Sequence, residues 1–506
     1  MSALGAISSS HYSATEAGAA ALRAGGNAID AALAAAATLC VVYPHNVALG
    51  GDLVALVKDP AGKVHFLNAT GTAPSAVDAD ELRATHGQKL PLRGIDTITM
   101  PGGVRGWEAL HELGANLTWT DHLQAATSFA ADGVPVSRSL RAAITAEAEH
   151  LLADPGASNV FAPSGRLLAE GDTLRQPALA NTLRRLAEHG ANEFYLGETG
   201  TKWIDALRHR GSRLSAADAA HYRPQFDDPI ESSFGKFRIL TSPPNTSGFI
   251  LSRAMNRVEE RIDAPLVAGA ADLVEEFNRG NVVRSLFLGD PVFGAKSAAE
   301  LVGLDYGGDV ARSLSPTGDT VGLSAASVDG WAVSLINSLF YSFGASILDP
   351  ETGVLFQNRG TSFSLDPASP NVIAAGKRPS HTLMPVLVFE ENELIYVPST
   401  MGGAGQPQIH AQLLLRMFGG ASPAEAINAP RFVVKEPEGP QIRVIVEADF
   451  ESIAVEAMVA RGYAVEVVPP HTELLGHSNM IELIGGGYRA ASDPRADGSA
   501  LIVSTD

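Results

Sequence analysis

The 506-residue chain has a single cysteine, Cys40, so no intrachain disulfide can form. That fits a reducing compartment, although a disulfide-free exported protein would look the same. Long apolar runs are missing too. The longest, AALAAAATLCVVY at 31–43, is mostly alanine and falls short of the roughly 20 residues a helix needs to cross a bilayer. The start, MSALGAISSSHYSATEAG, has neither the basic stretch nor the apolar core of a signal peptide. The expectation is a soluble cytoplasmic protein with no membrane partner. Positive charge is scarce, with 37 Lys and Arg against 56 Asp and Glu and a net charge of -19. No basic cluster alternates with aromatics, which argues against nucleic acid, because phosphate binding needs a basic face. The 14 histidines form no H-E-x-x-H motif and no ligand-spaced pair. His381, His410, His471 and His477 are scattered, and the plain reading of each is a surface or core histidine. No metal is expected.

What is present suits a large buried core: 45% hydrophobic and 18% charged residues. The length points to one large domain or two interleaved ones. Residues 13–42 read as two helices. Ser13 and Glu16 form a capping pair, Gly25 and Gly26 stop the first helix, and Asn27 caps the second. Strands LVALVKD and VHFLNAT follow. Residues 75–235 are rich in helical patterns, then come a strand, FRILTSPP, and helices over 248–261 and 269–286. The 290–319 stretch is rich in helix breakers. Beyond it strands dominate, at 320–328, 331–340, 384–390 and 393–398. A glycine loop at 402–405 and helices near 406–418 and 422–428 come next. A helix-rich first part thus precedes a strand-rich second part, in an α+β or α/β layering whose sheet order is unread.

Two stretches can carry chemistry. STMGGAGQPQ reads as strand, glycine loop and helix, a geometry able to cradle an anion on backbone N–H groups. It lacks the lysine of a phosphate loop and the G-x-G-x-x-G spacing. A tight turn and an oxyanion hole both stay open. The other stretch is GDTVGLSAASVDGWAVSLINSLFYSFG at 318–344, a hairpin turning at Asp329-Gly330. Loop-like sequence, GLDYGGDVARSLSPTGD, runs straight into its first strand residue, Thr320. An internal threonine hydroxyl is a poor nucleophile. Cleavage of the Asp319–Thr320 bond would give it a neighbouring α-amine with a pKa near about 8, able to serve as its base. Most threonines at strand starts are structural, so the residues alone leave both readings open.

Across nearly its whole length the chain resembles the γ-glutamyltranspeptidase family of N-terminal-nucleophile hydrolases. The likeness runs through AGGNAIDAALAAAATLCVVYPHNVALGGD (24–52), MPGGVRGW (100–107) and PPNTSG (243–248). It continues through the Thr320 hairpin, GVLFQNRGTSFSL, KRPSHTLMP, STMGGAGQPQ and INAPRF (427–432), in the same order. The resemblance implies an α+β fold, a four-layer α/β/β/α sandwich. It also implies a precursor that cuts itself between Asp319 and Thr320. The products, a helix-rich large chain 1–319 and a strand-rich small chain 320–506, stay together as one interleaved heterodimer or a higher oligomer. Thr320 matches the nucleophile, Gly402 and Gly403 the oxyanion-hole glycines, and Ser338 an assisting hydroxyl. The implied reaction is acyl transfer from an amide to Thr320 Oγ1 and on to water or an amine, with no cofactor.

The chain departs from the family where γ-glutamyl substrates are held. The arginine that grips the α-carboxylate falls on Thr70, and the acidic residue for the α-amine falls on Ser362. A paired serine motif becomes His381 and Thr382, and an asparagine becomes Phe340. Losing two charge-assisted hydrogen bonds costs a glutamyl group about 10²–10⁴ in binding. Arg359, in QNRG, lies near the same wall as Asn358, Ser362, His381 and Thr382, and is a candidate to grip a carboxylate on a different acyl group. The leading expectation is a self-processing threonine amidohydrolase acting on a small dicarboxylic monoamide or another non-glutamyl amide, like the oxamate amidohydrolase and acylase branches. The alternatives are a γ-glutamyltransferase with altered recognition and a non-catalytic ligand-binding relative. A nucleotide-binding protein using the glycine loop comes last.

Overall fold

Small and apolar residues alternate in DTVGLSAAS, which folds as the strand Asp319–Ser327, and the partner Ala332–Phe340 returns antiparallel to it. The pairing runs from Ala332 opposite Ala326 to Asn337 opposite Val321. It then slips so that Phe340 faces Asp319. This slip is a β-bulge, a device that bends a strand and re-aims a side chain. Phe340 within it has φ 82°. The computed structural model describes residues 3–304, 306, 319–435 and 441–505. Most of the loop-like stretch ahead of Thr320, residues 305 and 307–318, lies outside the described residues.

The hairpin sits mid-sheet. Among the described residues one antiparallel sheet has seven strands in the order Ser499–Ser504, Ala3–Ser9, Asp319–Ser327, Ala332–Phe340, Asp52–Lys58, Val64–Ala69 and Gln225–Asp227. A second has six, in the order Gly487–Ser492, Ser478–Ile484, Glu393–Thr400, Val386–Glu390, Phe237–Thr241 and Ile230–Phe234. The sheets pack face to face. Val54, Leu56, Phe66 and Ile336 of the first meet Leu387, Phe389, Val397 and Ile481 of the second in a shared core. Helices cover both outer faces. Ala28–Val42, buried at every position, lies on the first sheet; its run of alanines suits a helix enclosed on all sides. Gly248–Arg261, Ala270–Phe287 and Gln406–Phe418 cover the second. The result is the four-layer α/β/β/α sandwich, and each sheet draws strands from both sides of Thr320.

Several local expectations needed revision. The first helix, Tyr12–Arg23, is capped by His11, whose Nδ1 accepts from Ser13 N–H, while Glu16 pairs with Arg23 at 2.7 Å. Asn27 and Asp30 form the capping box of the second helix as read. The strands Ala3–Ser9, Gln225–Asp227 and Ile230–Phe234 carry too weak an alternation to be read locally, and form because neighbouring strands supply their partners. Among the described residues no helix is long and apolar enough to cross a membrane. No group of three or more His, Cys, Asp or Glu side chains there could hold a metal ion.

Two predictions concern stability. A Cβ at Gly322 would stand 2.8 Å from Thr400 N of the opposing sheet. Gly322→Ala should therefore cost about 1–3 kcal/mol, the usual penalty for overpacking; an unchanged urea midpoint would rule out so close an approach. The second concerns His11, His45, His410 and His477. Burial holds them neutral and lowers their pKa values to about 4, 3, 3 and 4. The unfolded chain takes up their protons below about pH 6.5 while the folded chain does not. Each histidine thus removes up to about 1.4 kcal/mol of stability per pH unit as pH falls from about 6.5 toward its folded value. Urea unfolding midpoints should drop steeply between about pH 7 and 5, whereas carboxylates alone would leave that interval nearly flat.

Candidate active site

The hairpin register brings two hydroxyls together. Thr320 and Ser338 are both fully buried, with Oγ1 and Oγ 3.0 Å apart. The bulge supports this contact, because Phe340 N–H donates to Ser338 Oγ at 2.8 Å. The Thr320 carbonyl accepts from Asn46 Nδ2 at 3.2 Å. Asn46 follows the end of the buried Ala28–Val42 helix, where Tyr43–Asn46 closes a turn.

On the other side of Ser338 lies a charge cluster. Ser338 pairs in the sheet with Asp52. Asp52 Oδ1 accepts from Gly71 N–H at 2.7 Å, and its carbonyl accepts from Asn337 Nδ2 at 2.6 Å. Oδ2 stands 3.4 Å from Arg359 Nε and 3.2 Å from His381 Nε2. All three charged or ionisable side chains are fully enclosed. The Arg359 guanidinium also reaches Ser338 Oγ and Thr382 Oγ1, both at 3.4 Å, and stacks 3.9 Å over the Phe340 ring. Among the described residues its side chain makes no polar contact shorter than 3.4 Å, and its Nε–H is not aligned on any acceptor. Burial lowers the Arg359 pKa to about 10 despite the opposing pull of Asp52, so the side chain stays charged at neutral pH. His381 is held neutral, at about 4, by burial and by the Arg359 charge, which outweigh Asp52.

The quoted motifs converge here. Gly51 of LGGD accepts Gly102 and Gly103 N–H from MPGG. Its missing side chain lets the Ser338 carbonyl approach, since a Cβ there would lie 2.6 Å from that oxygen. PPNTSG holds the SHTLMP segment: His381 N–H donates to the Asn245 carbonyl at 2.7 Å, and Ser247 Oγ donates to that of His381 at 2.8 Å. Gly402 and Gly403 form the turn between the strand Glu393–Thr400 and the helix Gln406–Phe418, with φ 151° and 50°. A positive φ at two successive residues requires glycine-like freedom. The Gly322 approach sets the end of that strand, Ser399 and Thr400, against the Thr320 strand.

Other expected residues lie around this cluster. Asn358 is enclosed, accepting from Tyr341 N–H and donating to the Leu92 carbonyl. Ser362 ends the short turn Arg359–Ser362, and its carbonyl accepts from Asn371 Nδ2 at 2.6 Å. Thr70 bonds Asn68 Oδ1 at 2.6 Å, while its carbonyl accepts from Tyr222 and Arg378. Asp319 is the first residue of the strand, directly ahead of Thr320. Asp52 and Asn46 were not singled out from sequence. Both lie inside the quoted 24–52 motif, which was the available signal.

The sequence model described as Gamma-glutamyltranspeptidase matches residues 14–503. The glutathione hydrolase-like YwrD proenzyme of Bacillus subtilis is 33% identical, over 98% of each chain. The oxamate amidohydrolase proenzyme of Klebsiella pneumoniae is 32% identical, over 97% of each. The crystal structure of cephalosporin acylase from Bacillus halodurans superposes with a TM-score of 0.89 at 30% identity, covering 100% of this chain and 97% of that one. The fold, the motif order and these matches together show that the chain belongs to the gamma-glutamyltranspeptidase family and is an amide hydrolase or acyltransferase of the N-terminal-nucleophile type.

Proposed function

We propose that this protein is a self-processing threonine amidohydrolase whose substrate is a short dicarboxylic monoamide, of which oxamate is the smallest. The observation that carries this reading is the enclosed Arg359 guanidinium, separated from Thr320 Oγ1 by one hydroxyl and held, among the described residues, only by long contacts of 3.4 Å to Asp52, Ser338 and Thr382. A guanidinium presents a planar fork of donors that fits a carboxylate. So close to Thr320, it would hold a carboxylate one or two carbons from the reacting carbonyl. A γ-glutamyl group carries its carboxylate farther away, and Thr70 and Ser362 offer it no charge. The 32% identity to an oxamate amidohydrolase supports the same class.

Cleavage at Asp319–Thr320 would release residues 1–319 and 320–506, which the interleaved sheets would keep together. The freed Thr320 amine then takes the Oγ1 proton, and Oγ1 attacks the amide carbonyl. Ser338, which accepts from Phe340 N–H, can donate its proton to Oγ1 as charge develops there. Backbone N–H groups of the Gly402–Gly403 turn serve the oxyanion. The leaving amine departs with the proton, and water releases the diacid from the ester on Thr320. Thr382 and the Asp52–His381 pair shape the acyl pocket around Arg359. Cys40, buried and alone, fits a cytoplasmic setting.

Intact mass should resolve the purified protein into two chains matching 1–319 and 320–506. Thr320→Ala should stay one 52.8 kDa chain. A single chain in both would count against a catalytic role for Thr320. Processed enzyme should hydrolyse oxamate or malonamate far faster than a γ-glutamyl anilide. Arg359→Met should lower kcat/KM for oxamate by about 10²-fold or more, the loss of one strong charge-assisted contact and its orientation. Faster turnover of the anilide would reverse the substrate assignment.

A further inference from the structure

The acyl pocket described above already holds a balanced pair, the Arg359 guanidinium and the Asp52 carboxylate, both fully enclosed. An arriving substrate carboxylate would add a second buried negative charge to one positive one. Buried charge without compensation is costly, and the nearest group able to change its charge tends to do so. We infer that His381 takes up a proton when an anionic acyl group docks on Arg359, so that substrate binding is coupled to protonation. This rests on the dicarboxylic reading above.

The geometry identifies the atom. Asp52 Oδ2 accepts at 3.2 Å from His381 Nε2, which sets the neutral imidazole as the Nε2–H tautomer. The other nitrogen, Nδ1, is buried and has no partner among the described residues. Its bare lone pair is where a proton from solvent adds. Burial and the Arg359 charge oppose protonation of His381, and the imidazole stays neutral. A carboxylate on the guanidinium offsets that charge and brings its own attraction for an imidazolium. Among the described residues the other charged or titratable groups facing this cluster are Tyr341 beside Arg359, Tyr222 with Arg378 behind Asp52, and, after cleavage, the freed Thr320 amine, whose proton uptake His381→Gln would leave in place. Burial keeps Tyr222 protonated, so it adds no anion.

The consequence is selectivity by charge. A monoamide with a free carboxylate recruits its own counter-ion, whereas the corresponding neutral diamide leaves the Arg359–Asp52 pair undisturbed and gains nothing from His381. Affinity for the anion should weaken about tenfold per pH unit between about 4, the His381 pKa of the free enzyme, and its raised pKa in the complex, and level off above that, through linkage.

The test is calorimetric titration of the processed enzyme with oxalate, the product-like dianion, in buffers of differing ionisation enthalpy at about pH 6 and 8. The expected result is uptake approaching about one proton per oxalate at the lower pH, decreasing at the higher. His381→Gln should bind oxalate without that uptake. Asp52→Asn, which removes the competing anion, should bind more tightly and also without uptake. Oxalate binding by the native enzyme with no proton uptake at either pH would overturn the coupling and leave the dicarboxylic reading intact. Uptake unchanged in His381→Gln would overturn the assignment to His381. Absence of oxalate binding by the native enzyme, together with no oxamate turnover, would overturn the dicarboxylic reading and this inference with it.

Discussion

A single enclosed carboxylate, that of Asp52, is the constraint around which the site is organised. Its backbone pairs with Ser338 in the sheet, and its carbonyl takes the Asn337 amide. One side-chain oxygen takes Gly71 N–H and the other faces Arg359 and His381. Without it a guanidinium would be sealed inside the protein with no counter-charge, a situation that costs about 3–5 kcal/mol when one partner of a buried pair is removed. The carboxylate therefore does two things at once. It makes a buried arginine tolerable beside the Thr320 and Ser338 hydroxyls, and it holds that arginine only loosely, the polar contacts of its side chain among the described residues all standing at 3.4 Å.

The sandwich places this cluster by close approach. The Thr320 strand lies in the middle of one sheet and presses against the Ser399–Thr400 end of the other, which is why small residues such as Gly322, Ser324 and Ala326 occupy its inner positions. The turn at Gly402–Gly403 leaves that opposing strand and starts a helix. Thr320 and the Gly402–Gly403 turn thus come from two sheets whose spacing is fixed by interdigitated side chains, close-packed and slow to deform. The bulge at Ser338–Phe340 adds the final adjustment. It turns a backbone N–H onto Ser338 Oγ and lays the Phe340 ring beneath the guanidinium. The family resemblance implies an asparagine at the position of Phe340, whose aromatic face here supports a cation.

Much of the site was legible in the sequence because its parts are local. The hairpin turn, the strand starting at Thr320, the glycine loop followed by a helix, and the Asn27 cap each depend on residues a few positions apart. The motif order carried the family, and with it the four layers. The contact between Asp52 and His381 spans 329 residues and leaves no local trace. His381 and Arg359 read as separate substrate-facing residues, although one carboxylate binds both. Asn358 lies in the same short motif as Arg359, yet its side chain is committed to backbone groups of other loops. The strand Ala3–Ser9 was missed because its small residues have no β signal of their own.

By itself the sequence determined which chemistry is available: a hydroxyl ready to lead a strand, a glycine turn able to gather donors, one disulfide-incompetent cysteine, and the arginine of QNRG. It also placed Thr70 and Ser362, both uncharged, where the family resemblance implies the charges that hold a glutamyl group. Only the tertiary structure decided that Ser338 faces Thr320, that Arg359 stands one hydroxyl from it, and that Asp52 holds Arg359 and His381 together. The reason is physical. Propensity and periodicity act over a turn or a hairpin, whereas the charge state and reach of a buried group are set by whatever the packed layers bring within a few ångströms of it.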